Sequence, residues 1–270
     1  MNKNSDQKIL SDLESGYDLI AEKFSGTRAF VWRDLGFLKD LVKPGDKVLD
    51  FGCGNGRLAG FLLGESGGEE KLGRYVGVDI SQKLIDIAKQ RYHSEKTEFI
   101  KISANAKRSD RATKEESGRT SFALPLEDNY FDIVFSIAVF HHFPSKKYAL
   151  EVAKELQRVL KPGGKIIITV WNLWQKQYLK YHQKSNKEWI GAEIPFKCET
   201  PVPQDPFLTL PLLRGGKKGG VAGEIIFSRY HHPFKIGEME ALFWEAGFKK
   251  IETKKGWNLL YIGEKPKAKL

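Results

Sequence analysis

The amino-acid sequence predicts an α/β protein with a doubly wound, mostly parallel seven-stranded sheet, helices on both faces and an antiparallel last strand. Short apolar segments alternate with helical patterns from residue 46 to residue 171, and a glycine-rich loop follows the first apolar segment. Hydrophobic residues make up 41% of the 270-residue chain, which is enough to form a packed core. Because no internal repeat or sharp boundary interrupts the chain, we expect a single domain over residues 1–270.

Apolar periodicity and turn residues define each element of this fold. Helices are predicted at 6–24 and 30–42, forming a helical cap over residues 1–44 that Pro44-Gly45 ends. Apolar segments typical of strands follow at 47–51, 75–80, 97–102, 131–139, 165–171, 225–231, 248–253 and 257–263. Further helices are predicted at 57–63, after the capping residue Ser81, at 145–160 before Pro162-Gly163-Gly164, and at 236–246 before Gly247.

Two polar segments interrupt the alternation. A basic insertion covers residues 105–121, and a longer one rich in Lys, Pro and Gly covers residues 172–222, near the expected substrate side. We expect the longer insertion to be irregular apart from one short helix near 173–183. Residues 1–153 contain 23 Lys and Arg against 23 Asp and Glu, so the net charge of +10 arises within residues 154–270. Such segregation predicts a polyanionic partner, although lysines can also serve solubility alone.

Composition excludes several classes of protein. The longest nearly unbroken apolar run, residues 133–140, is far shorter than the roughly 20 residues that cross a bilayer. The polar N-terminus lacks the apolar stretch of a secretory signal, and two cysteines provide neither a disulfide framework nor a four-ligand zinc site. We therefore expect a cytoplasmic protein that does not contact a membrane.

The first strand leads into a glycine-rich loop at residues 50–56, Asp-Phe-Gly-Cys-Gly-Asn-Gly. Closely spaced glycines let a ligand approach the backbone, and ligands of doubly wound sheets bind outside the carboxyl ends of the strands. Asp79 ends the second strand, where a carboxylate can accept both hydroxyl hydrogens of a ribose. This combination predicts a nucleoside cofactor. Its expected contacts are Asp50, Gly52, Cys53 through its backbone, Gly54, Asn55, Gly56, Asp79, Ile80 and Ser136.

Spacing and charge narrow the identity of the nucleoside. A dinucleotide site uses Gly-x-Gly-x-x-Gly and a P-loop continues into Gly-Lys-Ser/Thr, and this loop has neither pattern. Asp50, immediately before the loop, would repel a pyrophosphate but attract the ammonium or sulfonium of an amino-acid-bearing nucleoside. We therefore favour S-adenosylmethionine over a nicotinamide cofactor.

Four motifs, at residues 48–56, 77–81, 131–134 and 160–164, resemble those of the Rossmann-like class I S-adenosylmethionine-dependent methyltransferases. Three more stretches, at 17–28 preceding Trp32, at 136–143 and at 227–240, narrow the resemblance. They are similar to the tRNA wobble-uridine methyltransferases that esterify 5-carboxymethyluridine and to the methyltransferase domain of the AlkB-like fusion protein.

The resemblance implies that the chain methylates a modified wobble uridine in a tRNA anticodon stem-loop, at its carboxymethyl group. It also implies that a small zinc-binding activator subunit can be a partner. The sequence departs from the family after the third strand, so the adenine contact is open between Ala104, Asn105 and Leu124. The 172–222 segment also matches the family poorly, and its RNA contacts are inferred from charge.

Methylation of a carboxylate sets the residue types that the site needs. A carboxylate is ionised at neutral pH, so it requires a cationic cradle rather than a general base. The candidates in family-like motifs are Arg28, Arg229, His231 and either His141 or His142. Arg28 could instead bind the methionine carboxylate of the cofactor. We expect no metal, because adjacent histidines at a strand end face opposite ways and no third ligand is evident.

The basic part of the chain supplies candidate RNA contacts. Phosphates are expected to meet Lys176, Lys180, Lys184, Lys187, Arg214, Lys217 and Lys218. Trp171, Trp174, Trp189 and Phe207 could stack on unpaired bases or serve only as packing. Two other functions are open: methylation of a small molecule, such as a quinone precursor or another carboxylic acid, and an inactive partner subunit that binds cofactor or RNA.

Overall fold

A seven-stranded sheet forms the centre of the protein in a computed structural model that describes residues 3–28, 32, 35–64, 72–104, 122–182, 189, 191–197 and 225–267. The strands are β1 (Asp46–Phe51), β2 (Leu72–Asp79), β3 (Thr97–Lys101), β4 (Phe131–Ile137), β5 (Leu160–Trp171), β6 (Ala192–Lys197), β7 (Ile225–His231), β8 (Lys249–Lys255) and β9 (Asn258–Glu264). The helices are α1 (Lys3–Thr27), α2 (Leu38–Leu41), α3 (Arg57–Leu63), α4 (Gln82–Arg91), α5 (Lys146–Val159) and α6 (Ile236–Glu245).

The strand order of the sheet is β3-β2-β1-β4-β5-β9-β8. Strands β1 to β5 pair in parallel, whereas β9 lies antiparallel between β5 and β8. The predicted doubly wound sheet with an antiparallel last strand is therefore confirmed. Because β1 to β5 run in one direction, their carboxyl ends meet at a single edge of the sheet.

Both faces of the sheet are covered by helices, as predicted. Helices α5 and α6 pack on one face against Leu49, Val134 and Ile166, and helices α3 and α4 pack on the other against Val48 and Ile133. The predicted cap at Ser81 is confirmed, since its hydroxyl oxygen accepts a hydrogen bond from the backbone N–H of Leu84 at 3.2 Å.

The structure differs from the sequence prediction in the cap and in the second insertion. Of the helix expected at 30–42, residues 30, 31, 33 and 34 lie outside the described part of the chain. Within residues 35–42 the helix is Leu38–Leu41, and the exposed Gly36 precedes it; glycine is a poor helix former. Of the short helix expected near 173–183, the described residues 173–182 show a single 3-10 turn, Leu179–Tyr181.

The predicted strand at 225–231 does form, but it pairs with β6 in a separate two-stranded ribbon. We expected irregular chain at the position of β6, whose Pro195 argues against a central strand but is compatible with an edge strand. The insertion at 105–121 and residues 198–222 of the longer insertion lie outside the described residues. Within the described ranges, the helices lack the length and apolar composition that crossing a membrane requires.

Candidate active site

A pocket opens at the carboxyl edge of the sheet, where the glycine-rich loop was predicted to bind its ligand. Each of the five parallel strands contributes to its wall through the residues at or just after its carboxyl end: Gly52, Cys53, Gly54 and Asn55 after β1, Asp79 in β2, Ile102 and Ala104 after β3, Ile137, Ala138 and Val139 around the end of β4, and Trp171 in β5. Helix α1 covers one side with Leu10, Tyr17 and Phe24. The site is therefore built from strand ends and closed by the N-terminal helix.

The glycine loop approaches its neighbours too closely for side chains. Gly52 has a φ of +79°, and a Cβ there would lie 2.2 Å from Cγ2 of Val139. The backbone N–H groups of Gly52 and Cys53 both donate to the carbonyl of Val78, which ties the loop to β2. At Gly54 a Cβ would meet only the Phe24 ring, at 3.7 Å, so the backbone there is open to the pocket.

Asp79 is held in place by backbone hydrogen bonds to both of its carboxylate oxygens. Its Oδ2 accepts from the N–H of Gly54 at 2.8 Å, and its Oδ1 accepts from the N–H of Ser81 at 2.9 Å. Burial raises the pKa of Asp79, while these backbone donors oppose the shift. Each oxygen keeps a further lone pair, so the oriented carboxylate can accept from two adjacent hydroxyl groups.

Asp50, which was predicted to attract the cationic end of the cofactor, is buried and already has a hydrogen-bond partner. Its Oδ2 accepts a 2.6 Å hydrogen bond from the hydroxyl of Tyr75, and burial raises its pKa to about 7. The buried guanidinium of Arg57 acts in the opposite direction on that pKa. Asp50 lines the pocket floor and can attract a cation there.

These residues fit S-adenosylmethionine. The glycine backbone is open, Asp79 presents an oriented carboxylate, and Oδ1 of the buried Asn55 has no hydrogen-bond partner among the described residues. Gly54 and Asn55 would hold the amino-acid end of the cofactor, Asp79 its ribose, and Ile80 and Ala104 its adenine. The carbonyl of Ala104 already accepts a 2.6 Å hydrogen bond from the Tyr148 hydroxyl.

Two arginines enter the pocket from opposite ends of the sequence. Arg28 at the end of α1 and Arg229 in β7 are 6% and 4% exposed. The guanidinium of Arg28 lies 4.5 Å from the centre of the Phe24 ring, and that of Arg229 lies 5.4 Å from the Trp171 ring. Burial, together with the positive charges of Arg229 and Arg57, lowers the pKa of Arg28 to about 9. Buried cations of like charge favour an anionic ligand between them.

Three histidines meet beside these arginines. His141 and His142 lie in a 3-10 turn, Phe140–His142, and their ring centres are 4.4 Å apart. His231 in β7 joins them, so that one nitrogen of each ring lies within 4.8 Å of the others. The expectation that the adjacent histidines face opposite ways without a third partner is therefore wrong, because they form a tight turn rather than extended chain.

Hydrogen bonds assign the proton on each of these rings. His142 and His231 donate from Nδ1 to the carbonyls of Tyr230 (2.9 Å) and Arg229 (2.8 Å). The Nε2 of His142 accepts from the Tyr17 hydroxyl at 2.9 Å. His141 accepts the backbone N–H of Trp171 at Nδ1 (3.3 Å), so its proton is on Nε2.

This pattern suits an anion better than a metal ion. Burial holds the pKa of all three histidines below the usual value, that of His142 at about 3, so the rings are uncharged. The Nε2–H of His141 has no acceptor among the described residues, so this nitrogen cannot bind a metal ion in that form. Of the lone pairs on Nε2 of His142 and His231, the one on His142 already accepts from Tyr17. A hydrogen-bond donor in the same pocket wall as two arginines matches an incoming carboxylate.

The structure places most of the predicted site residues in the pocket wall: Arg28, Asp50, Gly52, Cys53, Gly54, Asn55, Asp79, Ile80, Ala104, His141 and Arg229. Three others, Gly56, Ser136 and His231, are buried but do not line it. Leu124, the alternative adenine contact, does not line it either and donates its N–H to Glu155. Lys176 and Lys180 are exposed outside the pocket. Asn105, Lys184, Lys187, Arg214, Lys217 and Lys218 lie outside the described residues.

Sequence reasoning missed three residues of the site. Tyr17, which bonds to His142, stands in the family-like stretch at helical spacing with Phe24 and could have been found there. Arg57 immediately follows the glycine loop and lines the pocket. Ala138 has a φ of +61°, and its N–H donates to the carbonyl of Thr169 at 2.9 Å. No sequence signal marks an alanine in the left-handed region, which costs roughly 1–2 kcal/mol.

Known proteins resemble this chain in sequence. The family model described as a methyltransferase domain matches residues 49–168. The tRNA (carboxymethyluridine(34)-5-O)-methyltransferase alkbh8 of Xenopus tropicalis is 30% identical over 257 residues, covering 84% of this chain and 36% of that protein. The Schizosaccharomyces pombe protein described as tRNA (carboxymethyluridine(34)-5-O)-methyltransferase is 28% identical over 240 residues, covering 87% of this chain and 88% of that protein.

Solved structures show the same fold. A chain from the complex between the Haloferax volcanii Trm112 methyltransferase activator and its methyltransferase has a TM-score of 0.55 and 17% identity, covering 93% of this chain and 97% of that chain. This chain spans 42% of the matching Arabidopsis thaliana relative and 36% of the Xenopus protein, less than half of each. In its matched domain, its fold and its pocket, the chain is similar to the class I S-adenosylmethionine-dependent methyltransferases.

Proposed function

We propose that the chain methylates the carboxylate of a 5-carboxymethyl group on the wobble uridine of tRNA, forming a methyl ester. The observation that carries this proposal is the pairing of Arg28 and Arg229 with the uncharged His141 donor beside the cofactor loop. The relatives described as tRNA (carboxymethyluridine(34)-5-O)-methyltransferases match most of this chain and support the proposal. Among the described residues, the carboxylates that line the pocket are Asp50 and Asp79, and both lie beside the glycine loop that would hold the cofactor. The two arginines therefore favour an anionic acceptor over an amine.

The bound cofactor supplies a methyl group on a positively charged sulfur. The acceptor carboxylate is already ionised at neutral pH, so the residues of the chain only have to hold and orient it. Arg28 and Arg229 would fix its two oxygens, and the Nε2–H of His141 would add a neutral hydrogen bond. Since an uncharged histidine withdraws less electron density than a third cation would, the oxygen keeps its nucleophilicity.

The same proposal extends to partners and to location. The exposed Lys176 and Lys180 would contact tRNA phosphates, together with Lys184, Lys187, Arg214, Lys217 and Lys218. A small zinc-binding activator subunit would assist the enzyme, which the Trm112 complex of the Haloferax neighbour supports. We place the enzyme in the cytoplasm, where the free thiol of the buried Cys53 stays reduced.

Methyl transfer to matched RNAs tests the proposal. The chain, alone and with an added activator subunit, is incubated with labelled S-adenosylmethionine and one of two tRNAs that differ only in the carboxymethyl group at the wobble uridine. We expect label in the carboxymethylated tRNA alone, in the wobble nucleoside. Equal labelling of both tRNAs, or labelling of neither by a protein that takes up the donor, would overturn it.

Arginine variants test the cradle itself. Arg229→Gln is expected to lower methyl transfer roughly 10- to 100-fold, the loss of a charge-assisted hydrogen bond, while leaving donor affinity unchanged. Arg28→Gln should behave in the same way if Arg28 holds the acceptor, whereas weaker donor binding would assign it to the methionine carboxylate of the cofactor. The matched control is Arg74→Gln. In the wild type, Nη2 of Arg74 lies 2.7 Å from Oε2 of Glu98, and Arg74 does not line the pocket.

A further inference from the structure

The chain at the turn between β8 and β9 carries an exposed aromatic residue and a lysine that the proposed function does not use. Lys255 ends β8, Gly256 and Trp257 form the turn to β9, and Trp257 is 43% exposed. In the sheet register, Asn258 pairs with the pocket residue Trp171. Trp257 therefore lies one residue beyond the wall of the pocket, at the carboxyl edge of the sheet.

Hydrogen bonds fix this turn to the chain that leaves the pocket. The carbonyl of Trp257 accepts from the N–H of Asn172 at 3.2 Å and from Nε2 of Gln175 at 3.1 Å. The carbonyl of Gly256 accepts from Nδ2 of Asn172 at 2.8 Å. An exposed indole on a rigid support loses little conformational freedom when a partner stacks on it.

Exposed lysines lie in the two segments that meet at this turn. Lys255 ends β8 two residues before Trp257, and Lys176 and Lys180 follow Gln175 in the segment to which the turn is bonded. Between these two lysines, the ring of Tyr178 stacks on Trp171 with ring centres 6.3 Å apart. We call Lys176, Lys180, Lys255 and Trp257 the rim. The rim combines positive charge with a stacking surface, the two features by which proteins hold single-stranded nucleic acid.

We propose that the rim binds the unpaired nucleotides that flank the target uridine, with one base stacked on Trp257 and phosphates on the three lysines. The proposal rests on the proposed function, which places a tRNA loop at the mouth of the pocket. Single-stranded RNA fits because its unstacked bases stack on aromatic rings, whereas a regular duplex does not expose them. The target uridine reaches the pocket only if its neighbours lie outside, and the rim is where they would lie.

The chain offers matched controls for this test. Trp244 near the end of α6 is 78% exposed, and Lys249 at the start of β8 is exposed as well. Because β8 begins at the edge of the sheet opposite to the rim, both residues lie at that opposite edge. The variants are Trp257→Ala and Lys255→Glu, compared with Trp244→Ala and Lys249→Glu. Affinity for a synthetic anticodon stem-loop RNA is measured by fluorescence anisotropy at several salt concentrations, and KM and kcat are measured with carboxymethylated tRNA.

Trp257→Ala should weaken RNA binding roughly 5- to 100-fold and raise the KM for tRNA, with kcat and donor affinity unchanged, and Trp257→Phe should restore most of the loss. Affinity falls as salt rises, and Lys255→Glu should make the plot of log affinity against log salt less steep by about 1. Wild-type RNA affinity in Trp257→Ala, or an equal loss in Trp244→Ala, overturns the inference. Binding is measured without turnover, so a chain that binds RNA through the rim but esterifies no carboxymethyl group would refute the proposed function alone.

Discussion

Tyr17 and His142 share a hydrogen bond of 2.9 Å between the phenol oxygen and Nε2, across 125 positions of sequence. The same phenol oxygen accepts from Nη1 of Arg229 at 3.5 Å, and the ring packs edge-on against Phe24. Helix α1 therefore orients the histidine turn and β7 as well as covering the pocket. The N-terminal helix is part of the site and not only a cover.

Removing the Tyr17 hydroxyl tests this link. In Tyr17→Phe the buried Nε2 of His142 loses its donor, which should cost about 1–3 kcal/mol of unfolding free energy. Methyl transfer should fall as well, because Arg229 loses a neighbour that positions it. Urea denaturation and initial rates provide the two measurements. Leu19→Ala changes a residue on the same helix that is 64% exposed and should stay within about 0.5 kcal/mol of the wild type; an equal effect of both variants would refute the link.

The backbone hydrogen bonds of Asp79 predict that the variant Asp79→Asn binds the methyl donor weakly. In Asp79→Asn the NH₂ group must face the N–H of either Gly54 or Ser81, so that two donors oppose each other. Calorimetry should show donor affinity reduced at least tenfold, about 1.4 kcal/mol or more. Asp86→Asn, on the exposed face of α4, should bind the donor like the wild type. Unchanged affinity in Asp79→Asn would show that this carboxylate does not hold the ribose.

Gly52 is expected to tolerate no side chain. In Gly52→Ala the new methyl group would lie 2.2 Å from Val139 at a φ of +79°, so both the contact and the backbone are strained. Overpacking and the left-handed conformation should together cost roughly 2–5 kcal/mol, measured by thermal or urea unfolding. Gly26→Ala lies in the last turn of α1, where no atom of the described residues would come within 4 Å of the new Cβ. It should be neutral or stabilise the protein by up to about 1 kcal/mol. A small effect at Gly52 would contradict this packing.

The neutral histidines predict how stability depends on pH. Burial lowers the pKa of His142 to about 3 in the folded protein, against about 6.5 when unfolded. Between these values the unfolded chain binds the extra proton, so His142 reduces stability as pH falls below 6.5. Asp50 acts in the opposite direction, since its raised pKa of about 7 makes its contribution decline as pH rises towards 7.

Comparing wild type with His142→Asn isolates the histidine contribution from that of Asp50. Between pH 6 and pH 4, the unfolding free energy of the wild type should fall more steeply than that of the variant, by up to about 1.4 kcal/mol per pH unit. Urea denaturation at four pH values provides this slope. Identical slopes in the two proteins would mean that His142 is already protonated when the protein is folded.

Local sequence signals account for the cofactor half of the site. The glycine loop, the strand-end Asp79 and the capping Ser81 are each specified by neighbours within a few residues, and the structure places all three as predicted. Turn chemistry and apolar periodicity suffice for such features, because they depend on backbone conformation and burial in one element.

The acceptor half depends on contacts between distant elements. His231 lies close to His141 because β7 leaves the main sheet and pairs with β6. The sequence did not predict β6, because its Pro195 lowers the strand propensity of that segment. The Tyr17–His142 bond likewise requires α1 to fold back over the strand ends. Periodicity within one segment contains no information on either contact.

Chemical stability of the transferred methyl group tests the central claim most directly, because only methylation of the carboxylate creates an ester. After labelled methyl transfer to carboxymethylated tRNA, the product is treated with mild alkali, and the released label and the wobble nucleoside are analysed by mass spectrometry. We predict release of the label as methanol and return of the nucleoside to its carboxymethyl form. A label that survives alkali, attached to a ring nitrogen, a carbon or a ribose oxygen, would contradict the account.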